Sequence, residues 1–489
     1  MPQLSYGRAM DWLADREPDR VAIVSQLDAR VDTRTRRQLV SRANRLARAY
    51  AGFGVGEGDL VTIALSNGCE FFEAALATWK LGATPNPVSA RLPEVEQRAI
   101  VDTASPALVV GAESGRLGER PTIEAGFEPD ASCSDEPLPD RISRHVRAMT
   151  SGGSTGRPKV IIDASPALCD PERPENRMKA DGRTLIPGPL YHAGPFITSW
   201  QALLCGGSVH VRSRFDPLDC LECIARERID WVLFVPTMMQ RIWKLPESER
   251  AGFDLTSINT IMCSGAPSPV WLKQAWIEWL GPDRIWEAYG GSERIGGTLI
   301  SGSEWLEHPG SVGKPTGGRK VRILDPEGAD VPTREVGLVY FLPPGGAGST
   351  YAYRGAVGKR TEDGWETLGD LGFLDADGYL YLTDRETDMI VSAGANVYPA
   401  EVEAAIDAFE TVRSSAVIGL PDDDLGQRVH AIVDAPEGFE EEKLRAHLSV
   451  LLAHYKIPRT FERVAEPLRD DAGKLRRLAL REARLSGSS

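Results

Sequence analysis

The chain has 489 residues, 42% of them hydrophobic, enough for a large core and more than one ordinary domain holds. Lysine and arginine number 56 against 70 aspartates and glutamates, a net charge of -14, which excludes a general attraction to nucleic acid or to an anionic membrane. Any bound phosphate must therefore be held by local geometry.

The first twenty residues, MPQLSYGRAMDWLADREPDR, interrupt every apolar stretch with charge and lack the apolar segment of a secretion signal, and no apolar run elsewhere is long enough to span a bilayer. Seven cysteines are scattered without framework spacing, which predicts reduced thiols in a cytoplasmic protein. Leu39, Val40, Ala43, Leu46, Ala47 and Tyr50 recur at helical spacing over residues 37–50, and Gly52 and Gly54 stop the pattern. Residues 60–65 have strand length, 70–81 are helical in period, and 107–110 form the next strand, an alternation that predicts a layered α/β domain. Residues 111–140 are polar and aperiodic, a surface excursion. Beyond 310, short runs such as EVGLVYF and GWETLGDLGFLDADGYLYLTD alternate with Gly and Asp turns and predict a β-rich subdomain. After Asp384 a helix at 399–408, strands at 415–420 and 429–433, and a helix at 440–454 predict a compact α+β unit of about 100 residues. The division falls at Asp384 and Arg385, giving a large domain over 1–383 and a small one over 386–489.

Chemistry is concentrated first in Thr150-Ser151-Gly152-Gly153-Ser154-Thr155-Gly156-Arg-Pro-Lys159. Glycines let backbone N–H groups turn toward an anion, hydroxyls add donors without bulk, and a lysine supplies charge, so the segment suits a phosphate. The order differs from the P-loop of nucleotide hydrolases, and a flexible Ser/Gly linker is the lesser, competing reading of the segment by itself. Cys220-x-x-Cys223 has no second pair and lies in a helical, Leu- and Ile-bearing stretch, so it reads as buried structural thiols. Asp375-Ala-Asp377-Gly378 imitates half a calcium loop without the remaining ligands and reads as a turn.

The glycine-rich segment is followed by Tyr289-Gly-Gly-Ser-Glu293, Gly369-Asp370, the run from Thr383 through Ser392-Ala393-Gly394 to Glu403, and Gly473-Lys474. In that order and spacing the chain resembles the adenylate-forming superfamily of acyl- and aryl-CoA synthetases, peptide-synthetase adenylation domains and firefly luciferase, over essentially its whole length. The resemblance implies a large domain of layered α/β subdomains with a β-rich subdomain, and a small mobile α+β domain that turns about Asp384. It implies ATP, Mg²⁺ and coenzyme A as reactants, a small-molecule carboxylic acid as substrate, and no nucleic acid.

Residue by residue, the resemblance implies that the loop from Thr150 to Lys159 closes over the β- and γ-phosphates, with Val160 where a glycine is common. Gly265, Ala266 and Pro267 would run along adenine, with Glu287, Ala288 and Tyr289 on its other side. Glu293 would serve Mg²⁺, Ser292 the α-phosphate, and Asp370 with Arg385 the ribose, a task suited to an acceptor-only side chain. Lys474 would bridge the substrate carboxylate and the α-phosphate, because attack of one anion on another needs a cation. His192 would act as a gate or positioning group, the substrate carboxylate being already ionised at neutral pH. Ser392, Ala393 and Gly394 would face the coenzyme A tunnel in the second step.

The acyl pocket is expected around Tyr191, His192, Phe196, Gly265, Gly290, Gly291 and Gly296, where glycines leave space and no aspartate awaits an α-amine. A hydrophobic acid follows, either a bulky aryl, steroid or bile-acid-like one or a fatty acid. A diverted acyl-AMP passed to a carrier protein and a silent binding protein on the same fold remain the competing readings.

Overall fold

The computed structural model describes residues 3–27, 30–152, 158–422, 424–470 and 473–486. The first helix read from periodicity runs over Arg36–Gly52. Thr35 and Gln38 close a capping box at its start, and the chain leaves it through Gly54 at φ +95°. The next helix spans Cys69–Lys80, with Phe71, Phe72 and Trp79 fully buried, and the strands on either side are Leu60–Ile63 and Leu108–Val110.

Two sheets dominate the large domain. One is a nine-stranded sheet whose central strands, Val21–Leu27, Ser208–Arg212, Arg183–Ile186, Trp231–Phe234, Thr260–Cys263 and Ile285–Gly290, are mutually parallel in that spatial order. The other is a four-stranded parallel sheet, Thr84–Pro87, Leu60–Ile63, Leu108–Val110 and Thr122–Ile123. Parallel strands are covered on both faces, and most residues of these strands are buried, including the polar Thr84, Asn86, Thr184 and His210. The Cys69–Lys80 helix and the Ala193–Leu204 helix contribute Phe71, Phe72, Trp79, Phe196 and Trp200 to the principal core.

The β-rich region beyond 310 is a four-stranded antiparallel sheet of Lys320–Leu324, Gly337–Leu342, Glu366–Leu374 and Leu380–Arg385. Past Arg385 the chain forms a small domain with its own core, built on Ser414–Asp422, Gly426–Asp434 and Thr460–Val464. Its helices are Pro399–Asp407, Glu441–Leu451 and Arg477–Ser486. The helix expected over 440–454 ends at Leu451, and a separate 3₁₀ turn covers His454–Lys456. All seven cysteines are free, with Cys220 and Cys223 buried beside Leu221 and Ile224. Among the described residues no helix is long and apolar enough to cross a membrane.

Candidate active site at the junction of the two domains

In open parallel sheets a ligand meets the carboxyl ends of the strands. Here the parallel neighbours Thr260–Cys263 and Ile285–Gly290 end side by side, placing Ser264-Gly265-Ala266-Pro267 next to Tyr289-Gly290. Ser264 Oγ donates to Ala288 O at 2.7 Å and ties the two strand ends together, and Gly265 turns at φ +96°. Ser292 and Glu293 occupy the turn that follows.

Thr150 lies in the strand Ala148–Gly152, opposite Val160 of Pro158–Asp163. Gly153, Ser154, Thr155 and Gly156 fall outside the described residues, as do the side chains of Ser151 and Gly152. Val160 is a core residue, packed with Leu60, Ala104, Ala148 and Ile162. Lys159 Nζ lies 3.2 Å from Glu293 Oε1 and 3.0 Å from the Tyr353 hydroxyl, whose ring it also covers at 4.4 Å. Tyr353 in turn donates to Glu293 Oε1 at 2.7 Å, and Thr350 Oγ1 donates to the Glu293 carbonyl at 2.9 Å. Tyr353 carried no motif signal. It arrives because its strand, Tyr351–Arg354, pairs antiparallel with Pro158–Asp163.

Asp370 sits opposite Arg385 across adjacent strands, with Arg385 Nε 3.3 Å from Oδ1. The Tyr289 hydroxyl donates to the other oxygen at 2.6 Å. Burial, reinforced by the Asp370 charge, drives the Tyr289 hydroxyl far above its usual range, so it remains a donor. Ahead of Asp370, Gly369 adopts φ +83°, a conformation open to glycine without strain.

Lys474 enters from the small domain on a hairpin in which its N–H donates to Asp470 Oδ1 at 2.9 Å. Gly473, at φ +73°, lies so close to the large domain that a β-carbon there would stand 2.5 Å from Thr237 Oγ1. Lys474 is exposed by area, yet protein crowds its ammonium group and lowers its pKa, with Arg385 adding to the effect and Asp470 and Glu293 opposing it. His192 precedes the Ala193–Leu204 helix, its ring 4.5 Å from that of Tyr191. Its Nε2 is buried without a hydrogen-bond partner among the described residues. Burial and the nearby Lys474 charge push its pKa down to about 3, so the ring is neutral at physiological pH. Lys474, Glu293, Arg385 and His192 thus share one electrostatic environment, although they come from four distant parts of the chain.

Several expectations change. The Glu287 carboxylate is not presented to a ligand: it is buried and paired with the buried Lys273, because a charge in that core needs a counter-charge. Phe196 belongs to the principal core, its ring centroid 6.1 Å from that of Phe71 and 5.8 Å from that of Trp79. The glycines expected to leave room for substrate are filled by protein. A β-carbon on Gly296 would fall 2.0 Å from the Phe341 ring, and one on Gly291 would fall 2.8 Å from Glu293 Oε2 and 2.9 Å from Leu368. One on Gly290 would stand 3.1 Å from the Gly296 carbonyl. Ser392 is buried, whereas Ala393 and Gly394 form an exposed two-residue turn held by Ala393 N–H to Leu425 O, within the small domain.

The sequence and fold agree with known proteins. The AMP-binding enzyme model matches residues 10–349, and that of the AMP-binding enzyme C-terminal domain matches 401–474. A feruloyl-CoA synthase of Amycolatopsis sp. is 33% identical over 441 residues, covering 87% of this chain and 89% of that protein. A long-chain-fatty-acid–CoA ligase of Mycobacterium tuberculosis is 27% identical, covering 91% and 92%. Among solved structures, ATP-bound MatB from Rhodopseudomonas palustris superposes with TM-score 0.81 at 25% identity, covering 99% of this chain and 100% of that one. The o-succinylbenzoate CoA synthetase of Bacillus subtilis with its acyl-adenylate intermediate gives TM-score 0.80 at 24% identity, with 98% of each chain covered. The chain belongs to the AMP-binding enzyme family, the adenylate-forming ligases, and carries both the large domain and the C-terminal domain of that family.

Proposed function

We propose that the chain activates a hydrophobic aryl carboxylic acid with ATP and transfers the acyl group to coenzyme A. What supports this reading is the match to both domains of the AMP-binding enzyme family, together with the seating of Gly473, the residue before Lys474, against Thr237 of the large domain. A cation carried on that segment suits the point where two anions must react.

In the first step a carboxylate oxygen attacks the α-phosphorus of ATP, the bond to the bridging oxygen breaks, and pyrophosphate leaves. Lys474 lies between the two anions and offsets their repulsion. Asp370, steadied by Tyr289 and Arg385, accepts from the ribose hydroxyls. Gly265, Ala266, Pro267, Ala288 and Tyr289 flank the base, Ser292 reaches the α-phosphate, and Lys159 with the preceding loop holds the outer phosphates. Glu293 is a carboxylate beside a phosphate-facing lysine, a donor that suits Mg²⁺; the ion, when bound, neutralises triphosphate charge. Neutral His192, with a free ring nitrogen, orients the acyl carbonyl and takes no proton. In the second step the small domain turns about Asp384, withdrawing Lys474 and bringing Ser392, Ala393 and Gly394 to the cleft. The thiol of coenzyme A gives its proton to water, its sulfur bonds to the acyl carbon, and the bond from that carbon to the phosphate oxygen breaks to release AMP.

The aryl class is supported by the feruloyl-CoA synthase relative and by the Tyr191 ring beside His192. The space beside Gly291 and Gly296, where the sequence suggested room for a bulky acid, is filled by Leu368 and Phe341. The test is pyrophosphate release from ATP and Mg²⁺ over aryl, fatty and steroid acids, with and without coenzyme A. Thioester from an aryl acid is expected, and Lys474→Ala should slow adenylation by about 10²–10³-fold. Acyl-AMP without thioester would assign another acceptor, and no adenylation with any acid would overturn the reading.

A further inference from the structure

The helix Pro236–Trp243 of the large domain touches the small domain at both ends. At its start, Thr237 and Val235 lie against Gly473, the residue before Lys474. At its end, Lys244 Nζ donates to the carbonyls of Val412 and of Asp407, the latter at 3.3 Å, and the buried Gln240 donates to the same Asp407 carbonyl at 3.2 Å. Asp407 is the last residue of the Pro399–Asp407 helix, where unpaired carbonyls concentrate about half a negative charge. The Asp407 carboxylate itself turns away to accept from Ser415 Oγ at 2.6 Å. The ammonium of Lys244 is therefore directed at backbone carbonyls of the other domain.

We propose that Lys244 and Gln240 are positioning residues for adenylation. By capping the carbonyl end of the Pro399–Asp407 helix, they hold the small domain in the one orientation that places Lys474 in the cleft. The inference rests on the two-step reading above. An eight-residue helix spans about 12 Å, so one rigid element fixes the small domain at two separated points, the lysine hairpin and the helix end, and removes its freedom to pivot about either. Rotation for the second step must break the Lys244 contacts. Their loss then weakens the first half-reaction and spares the second.

The test compares Lys244→Met with the parent in two assays: acid-dependent ATP–pyrophosphate exchange, and thioester formation from synthetic acyl-adenylate and coenzyme A. Exchange should fall about 10–100-fold, the loss of one to two charge-assisted bonds, with the KM values for ATP and acid within about twofold. Thioester formation should hold or rise, and Lys244→Arg should recover part of the exchange. A readout free of activity uses the exposed interdomain pair Arg476–Glu96, 3.3 Å apart. Cysteines at both positions should be joined by a short bis-maleimide several-fold less efficiently once Lys244→Met is added. Equal losses in both half-reactions, or an unchanged cross-linking yield, would overturn the proposal. A parent enzyme that forms no adenylate would defeat the ligase reading alone, leaving the cross-linking result to decide on the positioning role.

Discussion

Lys159 Nζ lies 3.2 Å from Glu293 Oε1, and the hydroxyl of Tyr353 bonds to both. Lys159 and the Glu293 carboxylate are therefore coupled, and neither can change partner without affecting the other. Glu293→Gln keeps the shape and removes the charge. Adenylation should fall about 100-fold, the scale seen when one electrostatic group of an active site is lost. Tyr353→Phe removes two charge-assisted bonds, at about 1.5 kcal/mol each, a loss of roughly 10–100-fold. It should raise the Mg²⁺ concentration needed for half-maximal rate while leaving the KM of coenzyme A unchanged. Metal titrations of the exchange reaction check both.

Asp370 accepts from Tyr289 at 2.6 Å and faces Arg385 at 3.3 Å, so its carboxylate is held in place for the ribose contact proposed above. Asp370→Asn should raise the KM for ATP by about 10–100-fold, the range of a bond to a charged group, with a smaller change in kcat. Tyr289→Phe should move in the same direction by less. Initial rates over ATP concentration separate the two parameters.

Ala393 holds φ +48° beside Gly394 at φ +79° in the turn joining Ile390–Ser392 to Ala395–Val397. Two-residue turns of this kind need positive φ at both central positions, and an alanine there is strained by about 1 kcal/mol. Ala393→Gly should raise the unfolding free energy of the small domain by about that amount, read from its urea midpoint.

Asp384 is buried, its carboxylate accepting from the N–H groups of Ala400 and Arg385. Burial raises its pKa from 3.8 to about 6, against the pull of Arg477. Between those values the folded protein keeps a proton that the unfolded chain has released. The group's contribution is therefore fully present below about pH 4 and is lost as the pH rises to about 6, by at most ~3 kcal/mol. Asp384→Asn stays neutral throughout. Urea midpoints of parent and variant should diverge over that interval in favour of the variant, then run parallel above pH 7.

Much of the fold is legible in the sequence. The Arg36–Gly52 helix, the β-rich region and the compact unit after Arg385 follow from apolar period and from glycine and aspartate turns, which act within a few residues. The motifs, through their family resemblance, point to Glu293, Asp370, Arg385, Lys474 and His192, and the residue before Lys474 packs against Thr237 of the large domain.

What the sequence by itself determined was local: element type, turn positions, and the identity of the charged and glycine-rich segments. Tertiary structure alone decided which side chains remained available. Strand pairing brought Tyr353 to Glu293, burial committed the Glu287 carboxylate to Lys273, and Phe341 filled the space beside Gly296. Each of those outcomes depends on the register of a strand or the face of a helix relative to residues far away in the chain. Period and turn chemistry carry no information about that partner, because they are satisfied equally well whichever element packs opposite.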